Sequence, residues 1–307
     1  MSITPTDLEI RTYAPEILTG YGNKKYAARR MLPPIKVKSK ESQIAAFTAD
    51  SMRLINTVNS GTDPAVEVND GMAYVSLDTV FHAAGKKMTQ ALMNQFPNAV
   101  KAVKYAYGII TQGMQIEEEY NLATAMTTSS NYAVNNCGTP ATKLDSSGGD
   151  PVGFFNAARA IVRDNCGEDP NHLEVSWKLH LTLADVARDS LGGNSSYKTP
   201  SNNDLAGYYG FETYDVLTAI YDKSIEGQTR DLDGIWGDDN FFITYQPRTP
   251  TAMEPAFGYT VFVLSLLNQL KETGNDPQAW TKFIANMEYQ SKVLSYAAAY
   301  WGYTCLK

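Results

Sequence analysis

Between residues 91 and 128, the apolar residues Val100, Val103, Tyr107, Ile110, Met114 and Leu122 recur at three- and four-residue steps. That spacing lines one face of an amphipathic helix. Pro97 stands where a helix can begin, and the pattern predicts one helix from Asn98 to Thr128. At 1.5 Å per residue it would be about 45 Å long, a strut rather than a packing element of a compact enzyme. Glu117, Glu118 and Glu119 read as its charged face. Gly108 and Gly113 each weaken a helix by ~1 kcal/mol relative to Ala, which makes them candidates for a bend.

Upstream, the period changes from helical to alternating. In Met31–Ser39, Ile35 and Val37 point one way and Lys36 and Lys38 the other, which predicts a short strand after the Pro33-Pro34 entry. Residues 41–81 are more polar. Asn69-Asp70-Gly71 favours a two-residue hairpin between the β-prone runs 65–68 and 72–80, and Asn59-Ser60-Gly61 marks a further turn. This region predicts a protruding hairpin. Residues 1–30 have little periodicity, with Pro5, Pro15 and the basic cluster Lys24, Lys25, Arg29 and Arg30. Such a segment has no face of its own to bury and is expected to lie across a partner.

Downstream of a polar linker (129–150), a helix is expected from Pro151 to Asp164, then an apolar strand at 173–176 and a helix from Trp177 to Ser190. Gly192-Gly193 would end that helix. Residues 207–222 and 234–247 read as strands with turns between. Residues 279–287 read as helical, and 288–307 as a closing pair of strands. The sum is an α+β protein without internal repeats.

The 307 residues, 43% hydrophobic and 19% charged, can fill one large core or two modest ones. A net charge of −7 argues against a protein that coats nucleic acid, because that work needs many cations. For the same reason, the cluster Lys24, Lys25, Arg29 and Arg30 reads as an inter-subunit contact rather than a nucleic-acid patch. Cys137, Cys166 and Cys305 are odd in number and widely spaced, which suggests reduced thiols. The longest apolar stretch, 259–267, is too short to span a bilayer, and the N-terminus lacks the pattern of a signal peptide, so a soluble protein without membrane contact is expected.

Candidate chemistry is sparse. Phosphate-binding glycine loops, zinc-protease helices and nucleophile elbows are missing from the sequence. Cys166, His172 and His180 are spaced by six and eight residues, which matches no usual zinc pattern. Asp231-Leu232-Asp233-Gly234 with Asp238-Asp239 lacks the later ligands of a calcium loop and reads as solvated. The aromatics Tyr208, Tyr209, Phe211, Phe241 and Phe242 read as core. No catalytic residue, cofactor or metal ligand is assigned.

The order of these elements carries more than any motif. A loose arm, a polar hairpin and a strut helix lead into PNHLEVSWKLHLTLADV, then WGDDNFFITYQP, EPAFGYTVFV and EYQSKVLSYAAAYW. This resembles the major capsid proteins of tailed bacteriophages, which share the Hong Kong 97-type fold. The resemblance implies an N-arm (1–30), a peripheral-domain strand (31–40), an extended loop (41–81), a peripheral domain with the spine helix (82–147), an axial domain (148–283) and a peripheral return (284–307). It implies self-assembly into hexamers and pentamers of an icosahedral head around double-stranded DNA, in the virion after assembly in the bacterial host cytoplasm.

Inter-subunit contacts would then fall at Lys24, Lys25, Arg29, Arg30, Asn69, Asp70 and Gly71, with Gly108 and Gly113 as bend points. A separate scaffolding protein, a portal and decoration or cement proteins are the implied partners. Some relatives crosslink a loop Lys to a neighbour's Asn. Here Lys36, Lys38 and Lys40 lie at the loop's base and no Lys occurs between Glu41 and Phe81, so that chemistry is not expected. Two other readings stay open from sequence: an encapsulin-type shell, and an α+β hydrolase with an unrecognised carboxylate site.

Overall fold

The computed structural model describes residues 26–40, 42–47, 72–192, 200–224, 228–248, 256–264, 270–274 and 279–307. A single helical turn, α1 (Ala28–Met31), leads into strand β1 (Pro34–Lys36). Strands β2 (Gln43–Phe47) and β3 (Met72–Ser76) pair antiparallel. The partner of 72–76 is therefore 43–47. The runs 48–71, including Asn69-Asp70-Gly71, lie outside the described residues.

Next come β4 (Val80–Thr89), the short α2 (Gln90–Met93) and the strut helix α3 (Ala99–Met126). The Asn98 side chain accepts a hydrogen bond from the Lys101 amide at 2.9 Å, which caps the first turn of α3. The helix is 28 residues long and falls within two residues of the expected span at its C-terminal end.

The chain continues through β5 (Cys137–Gly138) and α4 (Pro151–Cys166). Asp150 caps α4, Pro151 opens it, and Gly167 closes it at φ 80°. Strand β6 (His172–Ser176) runs directly into α5 (Trp177–Gly192). Helix α6 (Asn202–Tyr209) starts at a reciprocal Ser201–Asp204 capping box. Residues 207–209, expected to begin a strand, are helical instead, as the capping box and the buried Leu205, Ala206 and Tyr209 require.

Strands β7 (Thr213–Leu217), β8 (Ile220–Asp222), β9 (Leu232–Gly234), β10 (Phe241–Thr244), β11 (Gly258–Leu264), β12 (Leu270–Gly274), β13 (Trp280–Val293) and β14 (Ala299–Gly302) complete the described elements.

Two five-stranded sheets organise the molecule. The long sheet runs β1-β11-β13-β12, with β4 paired to β13 over ten residues. The short sheet runs β5-β14-β10-β6-β7 and mixes parallel with antiparallel pairs. Residues 279–287, expected to be helical, are instead the start of β13. Phe283, Ala285, Met287 and Tyr289 alternate inward, so the two-residue period and the flanking strands override local helix preference. Residue 283 falls within that continuous strand, and β14 pairs with β10 in the short sheet.

Each sheet has its own core. One face of the short sheet carries Leu173, Val175, Phe241 and Ile243 and is covered by α4, α5 and α6. There the Phe155 ring stands edge-on to Phe241 and Tyr209, at 4.9 Å and 5.2 Å between centroids. Gly302 faces Phe241 across the sheet, and a Cβ there would lie 1.9 Å from that ring, so only glycine permits the approach. The long sheet packs Phe262, Phe283, Ala285, Met287 and Tyr289 against Val103, Ala106, Tyr107, Ile110 and Met114 of α3. Further along α3, Leu122, Ala123 and Met126 join the core of the short sheet. The strut thus spans both cores.

Candidate assembly interface

Where the N-terminal region enters the fold, it is held by buried charge. The first described residues, Tyr26 to Leu32, pass between the second half of α3 and the second face of the short sheet, with Ala27, Ala28, Met31 and Leu32 buried. The Glu119 carboxylate is fully buried and accepts hydrogen bonds from the Ala27 amide at 2.9 Å, the Ala28 amide at 2.7 Å and the Trp236 indole at 2.6 Å. These partners favour the charged form, yet burial outweighs them and holds Glu119 above the ordinary carboxylate range. Its neighbour Glu118 is also buried, and Arg29 donates to both of its oxygens at 3.0–3.2 Å. The Arg29 guanidinium lies over the Phe262 ring at 5.0 Å, which ties this turn to the long sheet as well.

Arg30 turns to the other side. Its Nε lies 2.9 Å from Oδ2 of Asp215 on β7, although out of line for a hydrogen bond. Arg29 and Arg30, expected at a subunit boundary, thus find partners within their own chain. Lys24 and Lys25 lie outside the described residues.

Of Glu117, Glu118 and Glu119, expected as one charged face, the last two are buried. Helical periodicity held the signal: Glu118 stands four residues from both Met114 and Leu122, on the apolar stripe. The exposed Glu117 remains at the surface, 3.0 Å from Nδ1 of His82, whose ring stacks on Tyr289. The bend candidates differ from each other. Gly113 is exposed, with nothing within 4 Å of where a Cβ would sit, so packing does not require glycine there. Gly108 is partly buried. Gly113 lies where α3 passes from the first core to the second.

The remaining candidates disperse. The Cys166 thiol, at the end of α4, donates to the Glu168 carbonyl at 3.4 Å, and burial pushes its pKa up. His180 on α5 meets the Tyr214 hydroxyl at 3.0 Å. Among the described residues, no three His, Cys, Asp or Glu side chains come together as a metal site. In the acidic stretch 231–239, Asp233 is ion-paired with Lys223 and Asp238 with Lys178. An open depression of about 470 Å³ beside α4 is lined by Asn156, Arg159, Arg163, Asp164 and Asp169, and Arg159 is tied to Asp169 at 2.7 Å. The fully buried acids Glu119 and Glu174 lie outside that depression. No described helix is long and apolar enough to cross a membrane.

Apolar side chains do face solvent at places suited to protein contact: Tyr105, Ile109 and Tyr120 along α3, Val80 and Phe81 at the start of β4, and Trp177 and Leu181 one turn apart on α5.

No protein-family model matches the chain. A curated relative, the major capsid protein of Burkholderia phage BcepMu, is 24% identical over 262 residues, covering 79% of this chain and 80% of that one. Among solved structures, a phage-related protein from Bordetella bronchiseptica RB50 superposes with a TM-score of 0.75 at 18% identity, over 95% of this chain and 97% of that one. A virus-like particle from Pyrococcus furiosus gives a TM-score of 0.56 at 10% identity, over 98% and 99%. The fold is the Hong Kong 97-type capsid fold, α+β, as the sequence resemblance implied.

Proposed function

We propose that this chain is the major capsid protein of a tailed phage, a structural subunit that self-assembles into an icosahedral head. The observation that carries this reading is coverage: the fold agrees over nearly the whole length of a phage-related protein, and a curated major capsid protein aligns along four-fifths of the chain. The encapsulin-type reading would share the fold, and the curated relative, a phage major capsid protein aligned along 79% of this chain, favours the phage head. The hydrolase reading is the less favoured one, because the curated relative is a major capsid protein.

In this reading residues 1–25 and 48–71, with Lys24, Lys25 and Asn69-Asp70-Gly71, reach neighbouring subunits, while Arg29 and Arg30 fix the root of the arm to its own subunit. Segments that cross a neighbour bury surface only in the assembled state, so their contacts contribute to assembly rather than to the lone subunit. Hexamers and pentamers arise from the same heterologous ring-closing contact. The long sheet and first half of α3 form the peripheral domain, and the short sheet with α4 to α6 forms the axial domain. The acidic chain suits a wall that does not grip packaged double-stranded DNA. A separate scaffolding protein, a portal and decoration proteins complete the head, assembled in the host cytoplasm.

Sedimentation of the full chain tests the reading, with the protein produced alone and together with the products of its neighbouring open reading frames. Particles hundreds of times heavier than the 33.8 kDa subunit are expected. Sedimentation only as a monomer or small oligomer under both conditions would refute it.

A further inference from the structure

Behind the root of the arm lies a buried acid that the assembly reading does not use. Trp301, Phe242, Glu174 and Asp215 stand side by side in one row across the short sheet, on the face opposite α4 to α6. Glu174 is fully buried, and neither of its carboxylate oxygens has a hydrogen-bond partner. The Thr244 hydroxyl on β10 eases its charge without a well-formed hydrogen bond. Its charged neighbours are Arg30 from α1, which favours ionisation, and Asp215 from β7, which opposes it. His172, two residues away on the same strand, is partly buried, with Nδ1 unpartnered, and Tyr132 approaches from the loop after α3. One guanidinium is therefore shared by two adjacent carboxyl groups, and only Asp215 is within contact distance of it.

We propose that Glu174, Asp215 and Arg30 form a pH-sensitive clasp that holds the root of the N-terminal arm against the short sheet and loosens it as pH rises. A buried acid without hydrogen bonds is tolerated when protonated and costly when ionised. Burial pushes Glu174 up to about 8, against 4.5 for a free glutamate. The docked state therefore binds a proton that the opened, hydrated state releases. Stability of the docked state is fully present below the free pKa and falls as pH rises through the buried one. His172 acts in the opposite sense. Burial lowers its pKa below 6.5, so its contribution is lost as pH falls, and it is silent above neutrality.

The test is amide hydrogen exchange of the full chain, read as protection factors for residues 27–32 between pH 6.5 and 9. Their amides are bonded to Glu119 and along the α1 turn, so they report its release. Protection should fall with pH, approaching about tenfold per unit below pH 8 for a single proton, and level off above it. Glu174→Gln, always neutral, should flatten the profile. Glu119 is also raised and touches α1 from the other side. A slope that survives in Glu174→Gln would move the effect to Glu119 and overturn the proposal. Should that variant fail to fold, Asp215→Asn decides: with one negative neighbour removed, the fall should shift to lower pH. An unshifted profile, or a flat one in the wild type, overturns the clasp.

Discussion

The two halves of α3 meet the rest of the chain through different chemistry. The first half is greased: Val103, Ala106, Tyr107, Ile110 and Met114 pack on Phe283, Ala285 and Met287 without a buried charge between them. The second half carries Glu118 and Glu119 into the interior, where Arg29, Trp236 and two backbone amides satisfy them. Apolar contact is non-directional and tolerates small sliding, whereas a carboxylate with three fixed donors accepts one arrangement. The contrast teaches where this subunit is specified tightly. The joint between arm root, strut and short sheet is pinned, and the contact of the strut with the long sheet is a packed but less directional surface.

The largest expected effect lies in the short-sheet core. Phe155→Ala removes a ring wedged between Phe241 and Tyr209 and should cost about 4 kcal/mol, read by denaturant unfolding. A loss below ~1 kcal/mol would mean that core is soft. Glu119→Ala comes next, at about 3 kcal/mol, because three buried donors lose their acceptor. A near-neutral result would show that water enters the joint freely, and the contrast between the halves of α3 would collapse.

Gly113→Ala works in the opposite direction. It should stabilise the subunit by about 0.5–1 kcal/mol, since no atom opposes a Cβ there. If glycine at 113 serves a bend during assembly, the same variant should lower the yield of shells while raising the melting temperature. Unchanged yield would remove Gly113 from the bend candidates. The smallest effect on stability is expected from deleting residues 1–25. The cut leaves Ala27 to Leu32 and their bonds to Glu119 in place, so melting should hardly move while closed particles are lost. Normal particles from that truncated chain would sink the role given to the arm. A deletion through Arg30 would also remove buried core residues and confuse the two effects.

Much of this layout was legible because burial writes period into sequence. The three-to-four spacing of Val103, Tyr107, Ile110 and Met114 gave the strut, and Pro151 marked the start of α4. Two kinds of information were not local. Residues 279–287 contain helix formers, and only pairing with β4 and β12 makes them a strand. Glu118 and Glu119 read as a charged face until the chain brings Arg29 and Trp236 to them from 89 and 117 residues away.

One measurement bears most directly on the central claim: negative-stain electron microscopy of the full chain, produced alone and with its neighbouring open reading frames. The account predicts closed shells with a wall one subunit thick, or rings of five and six subunits. A uniform field of small globular particles under both conditions would contradict it.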